Sequence, residues 1–378
     1  MDDERVNKGF GRMAKQNLEF RIFKPPYIGY SSLNIENLNT LTGKKWQYAS
    51  SGKACLFHIL KALHVKGKIL LPAYACDSIL VPVRILNLEP VFYDVDICDL
   101  NPDIHSISKL ALEFDIKTLL VVSLYGNPAN LEEIETFCHK YDIKLIDDAA
   151  QSFGASLNGK LVGTFGHAGF FSFSPGKATA GHMGGFFWTN ESYKYISRKH
   201  SIVHYIRWLD FYFNRYRIYE YQYLGFWKKI LSLFSAFCLN HIDLYYDSIS
   251  PFEKKILGGI LSGNLNGKYK YRNIYIQEFI KRITSNLFDV IISVRGVANT
   301  HKLVLLFVEK EDQKIWKIFF DENQIYCSEG YVPLKADLDD LPNLQNIKGK
   351  IIELPIEDDL EKMEYLLEKI ERFLNRWK

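Results

Sequence analysis

The sequence predicts an α/β protein, with a large domain on a mostly parallel sheet followed by a smaller C-terminal α+β domain. Three observations carry this. Short apolar runs at 69–71, 90–95, 118–124 and 144–146 alternate with segments of helical periodicity, as in successive βαβ units. Beyond residue 190 that alternation stops, and strand-like runs at 302–308 and 351–354 enclose a helical stretch at 314–323. Finally, 378 residues that are 47% hydrophobic and 24% charged are enough to bury one large and one smaller core.

Taken in order, residues 1–24 read as a polar arm, and Pro25-Pro26 opens a turn-rich lead-in through Gly43. Residues 46–50 run into Ser51-Gly52-Lys53, after which Ala54, Leu56, Phe57, Leu60 and Leu63 recur at helical spacing. A small-residue turn that opens a helix presents unpaired N–H groups and a positive dipole end, which suits a phosphate. The plainer reading is that Ser51 caps a surface helix, and these residues alone leave both open. Next come a strand at 69–71, a helix opened by Pro72-Ala73-Tyr74 and running to about Leu86, and a strand at 90–95. A loop at 96–103, a helix to about Glu113, a strand at 118–124 closed by Tyr125-Gly126, a helix at 131–141 and a strand at 144–146 complete the alternation.

Residues 204–239 are dense in aromatics and basic side chains. An insertion at about 204–245, packed on the body or in a subunit interface, is preferred to an amphipathic helix touching a membrane. From about 250 a helix started by Pro251 runs toward Gly263, and another carries Tyr271, Ile274, Tyr275 and Phe279. A last helix, capped by Asp358 or Asp359, sets Leu360, Met363, Leu366, Leu367, Ile370, Phe373 and Leu374 on one face. The expected divisions are an arm and lead-in at 1–45, a large domain at 46–249 and a small domain at 250–378.

A net charge of +3 gives no ground for a nucleic-acid partner. The six cysteines show neither C-x-x-C nor Cys/His metal spacing, and reduced thiols in a cytoplasmic protein are expected. The opening MDDERVNKGFGRMAKQ has no apolar core of a secretory signal, and no apolar stretch is long enough to span a bilayer.

The chemistry is concentrated at 145–190. An apolar run ends in Asp147-Asp148, Gln151 follows, and a second apolar run at 168–173 containing Ser172 leads to Pro175-Gly176-Lys177. Open parallel sheets bind ligands beyond the carboxyl ends of their strands, so a strand-end carboxylate and a lysine past a neighbouring strand can face one crevice. Pyridoxal phosphate needs such a pair: an amine for its aldehyde and an acid for its ring nitrogen.

The stretches DDAAQSFGA (147–155), FSFSPGK (171–177), Gly184-Gly185, SSGKACL (50–56), LLPAYACDS (70–78) and ELPI (353–356) resemble the sugar-nucleotide aminotransferases of the DegT/StrS type. The resemblance runs with gaps from about residue 46 to the C-terminus. It implies a three-layer PLP-transferase large domain and places Lys177 as the Schiff-base lysine. Asp148 becomes the acid on the pyridine nitrogen, Gln151 the partner of the ring hydroxyl, and Ser51, Gly52 and Ser172 the phosphate contacts, with Lys53 where relatives commonly carry threonine. Tyr74 is chosen as the ring-stacking aromatic, although strict alignment sets Cys76 nearer that position, and Tyr125 is a third candidate.

Two further departures are Met183, where a glutamate often precedes the glycine pair, and the lack of a clear copy of the asparagine-arginine segment that a neighbouring subunit lends to the phosphate. The implied function is ping-pong transfer of an amino group from L-glutamate to a keto-sugar carried on a nucleotide, by a homodimer, for surface polysaccharide or related amino-sugar biosynthesis. Alternatives are a sugar dehydratase or deaminase of the same fold, and a non-catalytic binding relative.

Overall fold

Among the described residues, nine strands belong to the N-terminal part: β1 (Gln47–Ala49), β2 (Lys68–Pro72), β3 (Glu89–Tyr93), β4 (Thr118–Val122), β5 (Lys144–Asp148), β6 (Ser156–Leu157), β7 (Lys160–Leu161), β8 (Ala168–Ser172) and β9 (Gly185–Thr189). Seven form one sheet in the order β1-β9-β8-β5-β4-β2-β3, while β6 and β7 pair as a small hairpin. The computed structural model describes residues 35–174, 177, 184–193, 257–258, 265–323, 325–356 and 360–377. The expected arm, the aromatic insertion, Pro175-Gly176, His182-Met183, most of the Pro251 helix and the Asp358/Asp359 cap lie outside the described residues.

β2, β3, β4, β5 and β8 are mutually parallel, and β9 runs antiparallel to both β8 and β1. Six of the seven strands therefore point the same way. Their carboxyl ends deliver Ser50, Ala73, Ser123, Asp148 and Phe173 to a single edge, which is the topological reason that a site forms there.

Helices cover both faces: α1 (Ile35–Thr42), α2 (Gly52–Ala62), α3 (Leu80–Ile85), α4 (Ile104–Glu113) and α5 (Leu131–Lys140). Successive strand residues alternate between the two cores, as a pleat of period two requires. Ile69, Leu71, Leu120, Val122 and Ile146 pack with α2 and α3, whereas Leu70, Leu119, Val121 and Leu145 pack with α1, α4 and α5. Every residue of β4 is buried, so the run TLLVV shows no alternation of polarity in the sequence. The expected three-layer α/β architecture is the one observed.

α4 begins where the Asp103 side chain accepts from the backbone of His105 and Ser106. α2 is buried from Ala54 through Leu60, so Ser51 does not cap a surface helix. One expected helix is different. In place of a helix from Pro72 to Leu86, residues 73–76 form a bent strap, followed by a 3₁₀ turn (Asp77–Ile79) and the short α3. The Ala73 N–H is donated to the Tyr93 carbonyl and the Ala73 carbonyl accepts from Leu334, so neither is available for a helical ladder. β5 also runs two residues past its apolar segment, because Asp147 and Asp148 remain paired with Val121 and Val122.

The C-terminal part contains α6 (Leu265–Arg282), β10 (Phe288–Ile291), β11 (Lys302–Phe307), α7 (Lys310–Glu322), α8 (Pro342–Ile347), β12 (Ile351–Pro355) and α9 (Leu360–Trp377). β10, β11 and β12 make an antiparallel sheet around a separate core containing Phe279, Trp316, Phe320 and the α9 side chains Met363, Leu366, Leu367 and Ile370. Leu360, expected on that face, is 68% exposed. β10 carries the exposed Asp289 and was not recognisable as a strand from its composition.

Two buried carboxylates join the parts. The Asp94 side chain accepts the N–H groups of Asn343 and Leu344 at 2.8 Å each, which caps the start of α8. Asp99, fully buried, meets the Arg295 guanidinium at 2.5 Å.

Candidate active site

Asp147 and Asp148 are neighbours on β5, so their side chains leave opposite faces of the sheet. Asp147 is structural. Its Oδ2 accepts the N–H groups of Gly163 (2.6 Å) and Phe165 (3.1 Å), pinning the loop that follows β7. Burial pushes its carboxyl up to about 7, and those two N–H groups oppose the rise.

Asp148 faces the other way. One oxygen accepts the Ala150 N–H at 2.8 Å, and burial raises the carboxyl to about 6 against the pull of that N–H and of Lys177. Lys177, past the end of β8, has its amine lowered from 10.5, chiefly by burial and further by Lys302, while Cys76 and Asp148 favour its charge. An amine biased toward neutrality beside a carboxylate that resists ionisation can form an imine and then pass a proton.

The candidate anion-binding end is assembled from segments far apart in sequence. Ser51 caps α2, its Oγ accepting the Ala54 N–H at 3.2 Å. A Cβ added to Gly52 would stand 3.0 Å from Cβ and 3.2 Å from Oγ of Ser172, so a side chain here would press Ser172 back by a few tenths of an ångström. Ser172 Oγ lies 3.1 Å from Ser174 Oγ. Lys53, in the first turn of α2, is partly buried. Hydroxyls, backbone N–H groups and a positive helix end thus converge on the edge where Asp148 and Lys177 emerge.

This pairing of a lysine and an acid with a serine-lined helix start accords with a wider match. The profile of the DegT/DnrJ/EryC1/StrS aminotransferase family matches residues 36–370. The chain belongs to this family.

Among its relatives, the chain is 40% identical over 120 residues to the GDP-4-keto-6-deoxy-D-mannose 3-dehydratase of Escherichia coli O55:H7, which covers 32% of this chain and 31% of that protein. It is 34% identical over 130 residues to the UDP-N-acetyl-3-dehydro-alpha-D-glucosamine 3-aminotransferase of Acidithiobacillus ferrooxidans, covering 34% and 35%. The aligned stretches span about a third of these curated relatives. The solved E. coli GDP-4-keto-6-deoxy-D-mannose-3-dehydratase with bound hydrated PLP superposes with a TM-score of 0.68 at 19% identity, over 94% of this chain and 91% of that one. At that identity the likeness speaks to the fold.

The remaining residues of this family member's site lie toward β4 and the small domain. Gln151 Oε1 accepts the Tyr125 N–H at 3.1 Å, and Asn299 Nδ2 holds the carbonyls of Gln151 (2.9 Å) and Phe153 (3.1 Å). Tyr125 is buried in the left-handed region at φ 56°, a conformation costly for an aromatic residue and maintained by these contacts. Tyr74 is also buried, its hydroxyl 2.7 Å from that of Tyr125 and accepting the Tyr331 N–H at 3.2 Å. Cys76, the other candidate in the strap, is partly buried.

Sequence reasoning did not single out Asn299, His301, Lys302, Tyr331 or the role of Glu353. Glu353 is buried and accepts from the Tyr125 hydroxyl (2.8 Å), the Ser328 hydroxyl (2.6 Å) and the Lys302 ammonium. His301 donates its N–H to the Tyr125 carbonyl at 2.8 Å. Burial holds its imidazole well below the usual value, with Lys302, Lys177 and Arg272 adding, and Nδ1 has no partner among the described residues. The motif ELPI contains Glu353, but nothing in it indicates a partner more than two hundred residues upstream.

Proposed function

We propose that the protein is a pyridoxal phosphate-dependent aminotransferase that moves an amino group from L-glutamate to a keto-sugar carried on a nucleotide, for surface polysaccharide or related amino-sugar biosynthesis. The observation that carries this is the convergence of Lys177, Asp148 and the Ser51-Gly52/Ser172 cradle on one sheet edge. The donor set fits the cofactor. The Lys177 amine suits its aldehyde, and Asp148 suits its ring nitrogen. Gly52 lets backbone approach the phosphate beside the Ser51 and Ser172 hydroxyls, where Lys53 adds a positive charge.

Bound there, the cofactor supplies an aldehyde for amines and a ring that takes up the electron pair left when a proton leaves the donor's Cα. The chain does the rest. Asp148 rises to about 6 in its buried setting, and as the partner of the ring nitrogen it would be held ionised by that nitrogen's proton. Gln151 would offer its amide to the ring hydroxyl, and Tyr74 would be the ring's flanking aromatic. Lys177, its amine lowered by burial, would be the group that takes the proton from the donor's Cα and holds it for return.

The dehydratase relative gives the second reading its weight. A hydrated aldehyde is one not joined to a lysine, and the solved dehydratase holds its PLP in that form. Lys177, positioned against Asp148, favours transfer in this chain. The same reading includes a homodimer, a cytoplasmic setting suited to the free thiols of Cys76, Cys98, Cys138 and Cys327, and domain limits at 46–249 and 250–378. No helix among the described residues is long and apolar enough to cross a membrane.

The test is a visible spectrum before and after glutamate, followed by nucleotide-linked keto-sugars assayed by mass spectrometry for gain of an amine. A glutamate-induced spectral shift and an aminated sugar are expected, and Lys177→Ala should lose both. Full activity in Lys177→Ala refutes the assignment, a dehydrated product supports the second reading, and a protein without a chromophore indicates a binding relative.

A further inference from the structure

Between β10 and β11 the chain leaves the small sheet, and residues 297–301 bond to the turns that follow β4 and β5. Val297 and Ser156 exchange both backbone hydrogen bonds, at 2.7 and 2.9 Å. The Asn299 N–H is donated to the Gly126 carbonyl at 3.1 Å, and the His301 N–H to the Tyr125 carbonyl at 2.8 Å. The approach is close enough to require glycine: Gly126 has φ 84°, and an added Cβ would overlap Asn299 Oδ1.

Asn299 is wholly buried. The two N–H groups of its amide go to the carbonyls of Gln151 (2.9 Å) and Phe153 (3.1 Å), which spends all the donors the side chain has. Its Oδ1 meets no partner among the described residues. A buried oxygen without a donor is a cost, so what this side chain contributes is the two donations.

Gln151 is held from its other end as well. Its Oε1 accepts the Tyr125 N–H at 3.1 Å, so the end of the amide left to meet a ligand oxygen is its NH₂ group. Tyr125 lies in the left-handed region at φ 56°, and the carbonyls of Tyr125 and Gly126 are braced by the N–H groups of His301 and Asn299. Both the backbone that carries the Gln151 amide and the N–H that sets its sense therefore lean on residues 299–301, more than a hundred residues away in sequence.

We infer that Asn299 is a positioning residue, fixing the backbone at Gln151 so that the amide NH₂ group meets the oxygen on the cofactor ring. This rests on the cofactor reading proposed above. The Tyr125 N–H and the Asn299 amide grip Gln151 at two points, one on its side chain and one on its backbone, and together they leave the NH₂ group one placement. Without the Asn299 donors two buried carbonyls lose their partners, and the turn that carries Gln151 shifts to find others. The site is thus complete only when this segment of the C-terminal part lies against the turns after β4 and β5.

The experiment is a pH titration of the cofactor's visible absorbance in the holoenzyme, comparing wild type, Asn299→Ala, Asn299→Ser, Gln151→Asn and the double variant Asn299→Ala/Gln151→Asn. None of these changes alters a charge. An N–H donated to the ring oxygen stabilises its anionic form, so Asn299→Ala and Gln151→Asn should each raise the titration midpoint by about half a unit or more. Asn299→Ser, which keeps one donor but cannot span both carbonyls, should move it the same way by less. The double variant should move it no further than the larger single shift, since both changes act through one interaction. A purely structural role would lower the melting temperature of Asn299→Ala and leave the midpoint at the wild-type value, which overturns the inference. A double-variant shift equal to the sum of the single ones also overturns it. Should Asn299→Ala fail to fold, a wild-type midpoint in Asn299→Ser does the same. Wild type with no visible band after incubation with the cofactor instead overturns the cofactor reading itself, and the inference with it.

Discussion

Asp148→Asn separates what the buried carboxylate costs the fold from what it gives the site. The carboxyl is raised from 3.8 to about 6 by burial, roughly two units, which corresponds to about 3 kcal/mol. A carboxyl whose folded value lies above its unfolded value stabilises the protein fully below the unfolded value. That contribution is lost as pH rises through the folded value. Above about pH 7 the cofactor-free wild type therefore carries an ionised, buried Asp148 at a cost near 3 kcal/mol, whereas near pH 4 the cost is small. Asparagine retains an oxygen for the Ala150 N–H and cannot ionise.

For a chain of 378 residues the unfolding entropy is about 0.8 kcal/mol per degree, so the variant should melt about 4 °C above wild type at pH 8 and close to it at pH 4. Thermal melts of cofactor-stripped protein at the two pH values make the comparison. On adding pyridoxal phosphate, wild type should gain the larger stabilisation, because Asp148 then has a cationic partner. Equal melting temperatures at pH 8 without cofactor refute the argument, since they mean the carboxylate is not paying for its burial.

The phosphate cradle and the link between the two parts are separately testable. Gly52→Ala sets a methyl 3.0 Å from Ser172 Cβ, and should raise the dissociation constant for pyridoxal phosphate by about tenfold in an equilibrium titration. Its melting temperature without cofactor should not fall, because alanine suits a helix better than glycine does. Arg295→Ala strands the fully buried Asp99 and should cost about 3 kcal/mol in chemical denaturation at pH 8. Burial already raises the Asp99 carboxyl, so the loss should shrink at acidic pH as it protonates. An equal loss at both pH values would count against the ion pair.

How much of this was legible in the sequence follows from the range of the interactions. The β4 run TLLVV and the periodicity of α2, α5 and α9 are local records of burial, since a strand covered on both faces is apolar throughout and a helix repeats its buried face every three to four residues. Asp148 and Lys177 were likewise visible, because each follows an apolar run and parallel strands bring such ends to one edge. The separate fates of Asp147 and Asp148 also follow from the pleat. By contrast, the strap at 73–76 escaped notice because its backbone bonds to Tyr93 and Leu334, partners that no local pattern specifies.

Tertiary structure alone decided the rest. That Gly52 abuts Ser172 depends on β9 lying between β1 and β8. That Glu353 meets Tyr125 depends on how the β10-β11-β12 sheet docks on the larger one. The sequence by itself determined the layers and brought Asp148 and Lys177 forward as candidates at neighbouring strand ends. It left undetermined which distant side chains orient them, because a residue's own periodicity records that it is buried but not against what.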